Sequence, residues 1–238
     1  MPVEQYVCTV CGFNIIGGLP EHCPFCGASK KTFLTSEQCS ARYEVQETPV
    51  TKRVSRLNST PALGFEHAAY RIETIGKVFM IDCPSCFDKR VRPAAVISFT
   101  HHHFLGASNQ YRDLFGAEVR IHDLDSKPGI SQAFPFDTRF EKDWVEEGIE
   151  ACPVDGHTPG FTIYFFEDCL FICDYVFVEE TRMVYNPFGP AGDTIEGGNR
   201  ILEKLKKREI RWVCGYNYVL PYSEWYGMFS KVPVYAGH

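Results

Sequence analysis

Residues 6–29, YVCTVCGFNIIGGLPEHCPFCGAS, hold two C-x-x-C pairs, Cys8 with Cys11 and Cys23 with Cys26, with eleven residues between them. Each pair can wrap as a tight knuckle that turns both thiolates toward one point. Gly12 and Gly27 follow, where the chain must bend and expose amides to the sulfurs. Together the knuckles supply four sulfurs in the tetrahedral set that suits Zn²⁺ or a single iron. A unit this small cannot fold on its apolar residues alone, so metal binding is expected to provide its folding energy. The spacing leaves the metal open: zinc makes the ribbon a staple without chemistry, and iron makes it a one-electron carrier.

A second stretch, SFTHHHFLGA (98–107), places His101, His102 and His103 directly after an apolar, strand-like run. A strand ending in histidines is a common way to hold a metal, because neutral imidazole is the commonest metal ligand. The residues that follow, Phe104-Leu105-Gly106, add neither a carboxylate nor another imidazole. If the segment is extended, His102 points away from its neighbours, as a support for a ligand or a surface residue. His122 ends a strand of its own and reads as a hydrogen-bonded residue, while His67 and His238 carry no spacing signal.

The chain has 11 cysteines. Cys83 and Cys86 make a third C-x-x-C in DCPSC (82–86), which could be redox-active or supply soft ligands. Without a helix start or a basic neighbour, two partly buried thiols at the Pro84 turn is the preferred reading. Cys39, Cys152 and Cys169 have no paired spacing, and Cys173 and Cys214 read as small buried residues. Such thiol usage without a signal peptide at MPVEQYVC points to a reducing compartment, the cytoplasm.

The elements that must carry these residues follow from composition and pattern. At 238 residues, with 45% apolar and 23% charged side chains, the chain suits one medium domain plus a small attachment. A net charge of −6 argues against nucleic acid as a partner. The most apolar late stretch, 163–178, is broken by Glu167, Asp168 and Asp174, which argues against a membrane span. Residues 1–35 form the ribbon, 36–47 read as a polar linker, and a larger domain spans 48–238. Strands are expected within 67–83 (two, joined near Ile75-Gly76), 94–99, 117–122, 162–174 (two, turning at Glu167-Asp168) and 210–215. Helices are expected over 106–115 and 199–209, the second with Ile201, Leu202 and Leu205 on one face. Strands come first in runs and then alternate with helices, the pattern of an α+β fold with layered sheets.

The ribbon, with its CPFCG second knuckle and Tyr6 before the first, resembles the rubredoxin-like domain of rubrerythrins. The order of the remaining landmarks resembles the metallo-β-lactamase superfamily. These are an Asp ending a strand (Asp82), THHH at 100–103, GHTPGFT at 156–162, a strand ending in Asp174, and VCGYNY at 213–218. That resemblance implies an αββα sandwich gathering metal ligands from loops along one edge. In the family pattern T-H-x-H-x-D-H, the two leading histidines and the one in H-T-P-G hold a first metal. Here His101, His103 and His157 match them, and Asp174 matches the bridging carboxylate. The motif's Asp and last His are Leu105 and Gly106, and the late histidine is Tyr216. The resemblance therefore implies at most one Zn or Fe in the histidine site, beside Zn or Fe in the four-cysteine ribbon.

Three functions follow. The first is a mononuclear metallo-hydrolase of thioester, ester or lactone type acting on a small molecule, with Asp174 ligating weakly or accepting a proton. The second is a redox protein in which an iron ribbon passes electrons to the sandwich, with a redox partner upstream. The third is a degenerate sandwich that binds without turnover, its aromatic end (216–229) lining a pocket or simply packing.

Overall fold

The computed structural model describes residues 4–180 and 182–232. They fall into two compact units, one of residues 1–121 with 126–140 and one of 122–125 with 141 onward.

The first unit opens with β1 (Gln5–Cys8), β2 (Asn14–Ile16) and β3 (Phe33–Thr35), antiparallel and ordered β2-β1-β3. Helix α1 (Ser36–Ser40) follows at once. The Thr35 hydroxyl accepts from Gln38 N–H and the Gln38 side chain accepts from Thr35 N–H, a reciprocal cap that fixes the helix start. The polar stretch expected to be a linker thus carries α1 and the beginning of β4 (Glu44–Pro49). Next come β5 (Val54–Thr60), β6 (Ala69–Glu73), β7 (Val78–Ile81), β8 (Val96–Ser98), helix α2 (Ser108–Phe115), β9 (Glu118–His122) and β10 (Thr138–Phe140). They build a seven-stranded sheet ordered β10-β9-β8-β7-β6-β5-β4. Strands β4 to β7 pair antiparallel, whereas β7, β8 and β9 run parallel. Parallel strands bring their carboxyl ends to one sheet edge, where ligand-binding loops gather. Asp82 leaves β7 at that edge, and Phe99 to His103 leave β8. Leu57, Met80, Ile97, Phe99, Leu105, Tyr111 and Val119 form the apolar core beneath it.

The second unit contains β11 (Trp144–Glu146), β12 (Ile149–Pro153), β13 (Thr162–Phe166), β14 (Cys169–Cys173), β15 (Val176–Glu179), β16 (Arg182–Tyr185), α3 (Ala191–Leu205), β17 (Trp212–Gly215), β18 (Val219–Pro221) and α4 (Tyr222–Phe229). Its sheet is ordered β11-β12-β13-β14-β17-β18, with β15 and β16 as a separate hairpin. Strands β14 and β17 are parallel across the α3 crossover, so Asp174 and Tyr216 leave neighbouring strand ends. Helix α3 begins eight residues earlier than the apolar spacing at 199–209 suggests, at Ala191. Gly197 and Gly198 obscure its period, and packing explains them. A Cβ at Gly197 would lie 2.2 Å from Tyr175 Oη, and one at Gly198 would lie 2.2 Å from Tyr185 Oη. The aromatic end contributes Trp225 and Phe229 to the core, stacked with centroids 4.3 Å apart, while Tyr226 is exposed. Among the described residues no helix is long and apolar enough to cross a membrane.

Candidate metal centres

The ribbon's two knuckles are built alike. Cys8 N–H donates to Phe13 O at 2.9 Å and Gly12 N–H to Cys8 O at 2.8 Å. In the second, Cys23 N–H donates to Ala28 O at 2.7 Å and Gly27 N–H to Cys23 O at 2.9 Å. Gly12 and Gly27 close these turns at φ 82° and 73°. Backbone N–H groups of Val10 and Cys11 donate to Cys8 Sγ, and those of Phe25 and Cys26 to Cys23 Sγ. The four Sγ atoms converge within 4.8 Å of one another, with Cys8–Cys26 at 3.8 Å and Cys11–Cys23 at 3.7 Å. Sulfurs bound to one metal at about 2.3 Å in a tetrahedron lie about 3.8 Å apart, so the donor set fits a single tetrahedral ion. A cation at the centre favours thiolate at all four positions.

In the same unit, the loop after β8 fixes one imidazole. Asp82 sits at φ 57°, a strained conformation for a residue with a side chain, where such strain often accompanies function. Its Oδ1 accepts from Thr100 N–H at 2.9 Å, and the Thr100 hydroxyl lies 3.0 Å from each carboxylate oxygen. Thr100 Oγ1 is also 3.0 Å from His101 Nδ1. A hydroxyl has one proton to give; once it is donated to the carboxylate, its oxygen accepts from Nδ1–H. This logic assigns the Nδ1–H tautomer, leaving Nε2 as the nitrogen with a lone pair, the arrangement that prepares a histidine for a metal. The His103 ring lies 4.8 Å from that of His101, at 84°.

The same loop shows why the neighbouring positions hold no ligand. Leu105 is 2% exposed and packs in the core with Leu57, Ile97 and Tyr111. Gly106 adopts φ 54°, and a Cβ there would lie 2.4 Å from Cys83 O and 2.5 Å from Pro84 O. A ligand at 105 would have to leave the core, and one at 106 would require rebuilding the 83–84 turn.

The ribbon also reaches this loop. Phe25, between the second pair of cysteines, has its ring centroid 5.6 Å from His103 and 4.7 Å from Phe104. Phe13, following the first pair, stacks on Phe25 at 6.0 Å and meets Phe104 edge-on at 6.5 Å. Buried His67 completes the clasp, 4.8 Å from Phe104 and 5.8 Å from His101. Burial brings its pKa down to about 4, keeping it neutral. Polar contacts fasten the same seam: Asn14 Nδ2 donates to Ser85 O at 3.1 Å and Gln5 Nε2 to Gly106 O at 3.5 Å. Adjacent Glu66 accepts from Ser59 N–H at 2.9 Å and from Ser85 N–H, yet burial raises its pKa.

The second unit brings together His157, Asp174 and a residue without a sequence signal, Asn186. The turn around His157 is held by Phe161 N–H to Thr158 O at 3.2 Å and by Thr158 Oγ1 to Asp125 Oδ2 at 2.8 Å. Asn186 Oδ1 accepts from Phe188 N–H at 3.0 Å, which orients the amide. Its Nδ2 therefore faces Asp174 Oδ2 at 3.0 Å, Asp174 O at 2.9 Å and His157 Nε2 at 3.3 Å. Asn186 lies one residue past β16 in a YNPFG stretch that matches no motif, so only the structure finds it. Tyr216, at the place of the family's late histidine, packs on Phe177 with centroids 5.2 Å apart.

The remaining candidates resolve as follows. His102 is buried, with its ring 4.7 Å from His103, so it is not a surface residue; the segment is not a strand and the alternation argument fails. His122 Nδ1 accepts from Leu124 N–H at 3.3 Å, a satisfied structural histidine. Cys83 and Cys86 are fully rather than partly buried. Burial drives the Cys83 thiol well above its usual range, and Cys86 donates to Tyr43 O at 3.2 Å and contacts Cys39. All 11 cysteines are free thiols.

Comparison with known proteins agrees with this architecture. Residues 6–34 match the family described as the rubredoxin-like domain of rubrerythrin. A metallo-β-lactamase from Pontibacter korlensis is 14% identical with a TM-score of 0.63, covering 79% of this chain and 99% of that one. One from Pseudomonas aeruginosa, solved in a mono-zinc form, is 11% identical with a TM-score of 0.65, covering 92% and 99%. An archaeal metallo-β-lactamase superfamily protein from Sulfolobus tokodaii is 13% identical with a TM-score of 0.53, covering 70% and 80%. No curated protein matches the sequence. At these identities the likeness establishes the fold: a metallo-β-lactamase fold with a rubredoxin-like domain at residues 6–34.

Proposed function

We propose that the chain is a metal-dependent hydrolase of thioester, ester or lactone bonds, with one metal held by His101, His103 and His157 and none at a second position. The observation that carries the single-metal reading is the pair Leu105 and Gly106: one is committed to the core and the other leaves no room for a side chain. The Thr100–His101 contact supports the first site by setting the tautomer that a metal requires.

A divalent ion held by His101, His103 and His157 would supply Lewis acidity, enough to lower the pKa of water to about 7. The chain's own groups do the rest. Asp174 would serve as proton acceptor, and Asn186 Nδ2 donates to its Oδ2 at 3.0 Å and so holds the carboxylate in place. The neutral amide orients the carboxylate by hydrogen bonds without adding a charge beside it. The thiol inventory supports work in a reducing compartment, the cytoplasm.

Metal analysis of purified protein, followed by a panel of small thioesters, esters and lactones, tests this reading. Two metals per chain, falling to one in the His101→Ala/His103→Ala variant together with hydrolysis, is the expected result. One metal in both proteins would sink it.

The contact of Phe25 with His103 favours a second reading, in which an iron-loaded ribbon passes single electrons to the histidine site. A red protein with one ribbon iron, bleached by dithionite and recoloured by air only while His101 and His103 are present, would select it.

A further inference from the structure

The ribbon's place beside the histidine loop gives it a task that neither motif implies. Phe25 lies between Cys23 and Cys26, so an ion held by both cysteines restrains its backbone beyond the hydrogen bonds that close the knuckle. Its ring lies against His103 at 5.6 Å and Phe104 at 4.7 Å, and Phe13 from the other knuckle stacks on it. Both knuckles thus direct a phenyl ring at the residue following the histidine run. We propose that the loaded ribbon is a wall of the histidine site, with Phe25 a positioning residue that holds His103 in its ligating orientation, so that the ribbon metal raises the affinity of the histidine site for its own.

The physical basis is preorganisation. His103 is only half buried, and within the first unit its ring meets the rings of His101, His102 and Phe25. Removing the phenyl ring frees rotamers that metal binding would then have to restrict. Groups that orient a ligand typically change metal affinity about 10–100-fold when altered. A packing contact, lacking a hydrogen bond, belongs at the lower end of that range. Coupling between two sites is reciprocal, so a filled histidine site also tightens the ribbon's hold on its ion.

This inference rests on the single-metal reading of His101, His103 and His157, and the experiment separates the two. Zinc content and histidine-site affinity are measured for wild type, Phe25→Ala, Phe25→Leu and Phe25→Tyr by competition with a chromogenic chelator. Cobalt(II) is then substituted as a spectroscopic reporter. Phe25→Ala is expected to keep the thiolate-to-cobalt absorption of the ribbon. Its histidine-site affinity should fall about 10-fold with altered cobalt d–d bands, and Phe25→Tyr should restore both. If Phe25→Ala loses the ribbon metal, Phe25→Leu, which keeps apolar volume without an aromatic ring, is read in the same way. Two metals in wild type with affinity indifferent to residue 25 would overturn this inference alone. A wild type with metal only in the ribbon would overturn it together with the single-metal reading.

Discussion

His101 Nδ1 lies 3.0 Å from Thr100 Oγ1, whose proton is already committed to Asp82. The tautomer of a candidate ligand is thus set by a carboxylate acting through Thr100. Thr100→Val keeps the shape and deletes the relay, and it is expected to lower histidine-site zinc affinity about 10–100-fold. Thr100→Ser, which keeps the hydroxyl, should stay close to wild type. Chelator competition on both variants provides the check.

Asn186 binds Asp174 by its side chain and backbone together. Truncation to Ala leaves a buried carboxylate short of a donor, a loss of about 1–3 kcal/mol. Urea unfolding of metal-free protein is the measurement, and a variant as stable as wild type would remove Asn186 from the site.

Any side chain at Gly106 meets both a left-handed backbone and two carbonyl oxygens. The conformation alone costs about 1–2 kcal/mol, and the overlap adds to it. Gly106→Ala should therefore show a clear drop in denaturant midpoint without a change in metal content of the soluble fraction.

Ribbon metal requires thiolates, so its retention depends on pH with a definite sign: acidification protonates the sulfurs and releases the ion. Release followed with a zinc indicator should rise as pH falls, with loss of the ordered ribbon seen by near-ultraviolet circular dichroism. Cys26→Ser should lose the ion already at neutral pH.

Burial, and then Glu150, push the Cys152 thiol up to about 12 from 9.0, and burial drives the Cys83 thiol well above its usual range. Both should resist alkylation in folded protein and react on unfolding, as mass spectrometry can show. The unfolded Cys152 ionises first, so its contribution to stability declines as pH rises from 9 toward 12. A native protein that alkylates readily at Cys83 or Cys152 would contradict this.

Much of this was legible in the chain because it depends on local spacing. The knuckles are local turns, and the strands from Ala69 to Ser98 and from Thr162 to Cys173 follow their apolar patterns. Residues 36–47 misled because a five-residue helix held by the Thr35–Gln38 cap needs no apolar period. The early start of α3 was hidden by glycines whose reason, the hydroxyls of Tyr175 and Tyr185, lies far away in sequence. Asn186 and Phe25 were invisible for the same cause: their importance is in what they face, and neither residue type at its position announces a partner.

The turn at Cys83-Pro84 and the left-handed Gly106 fit each other as two halves of a clasp. A histidine at 106 would strike the turn, and a carboxylate at 105 would empty a place in the core. Each of these single substitutions meets a packing penalty before any ligand is gained, so the loop resists a new donor at either position one change at a time.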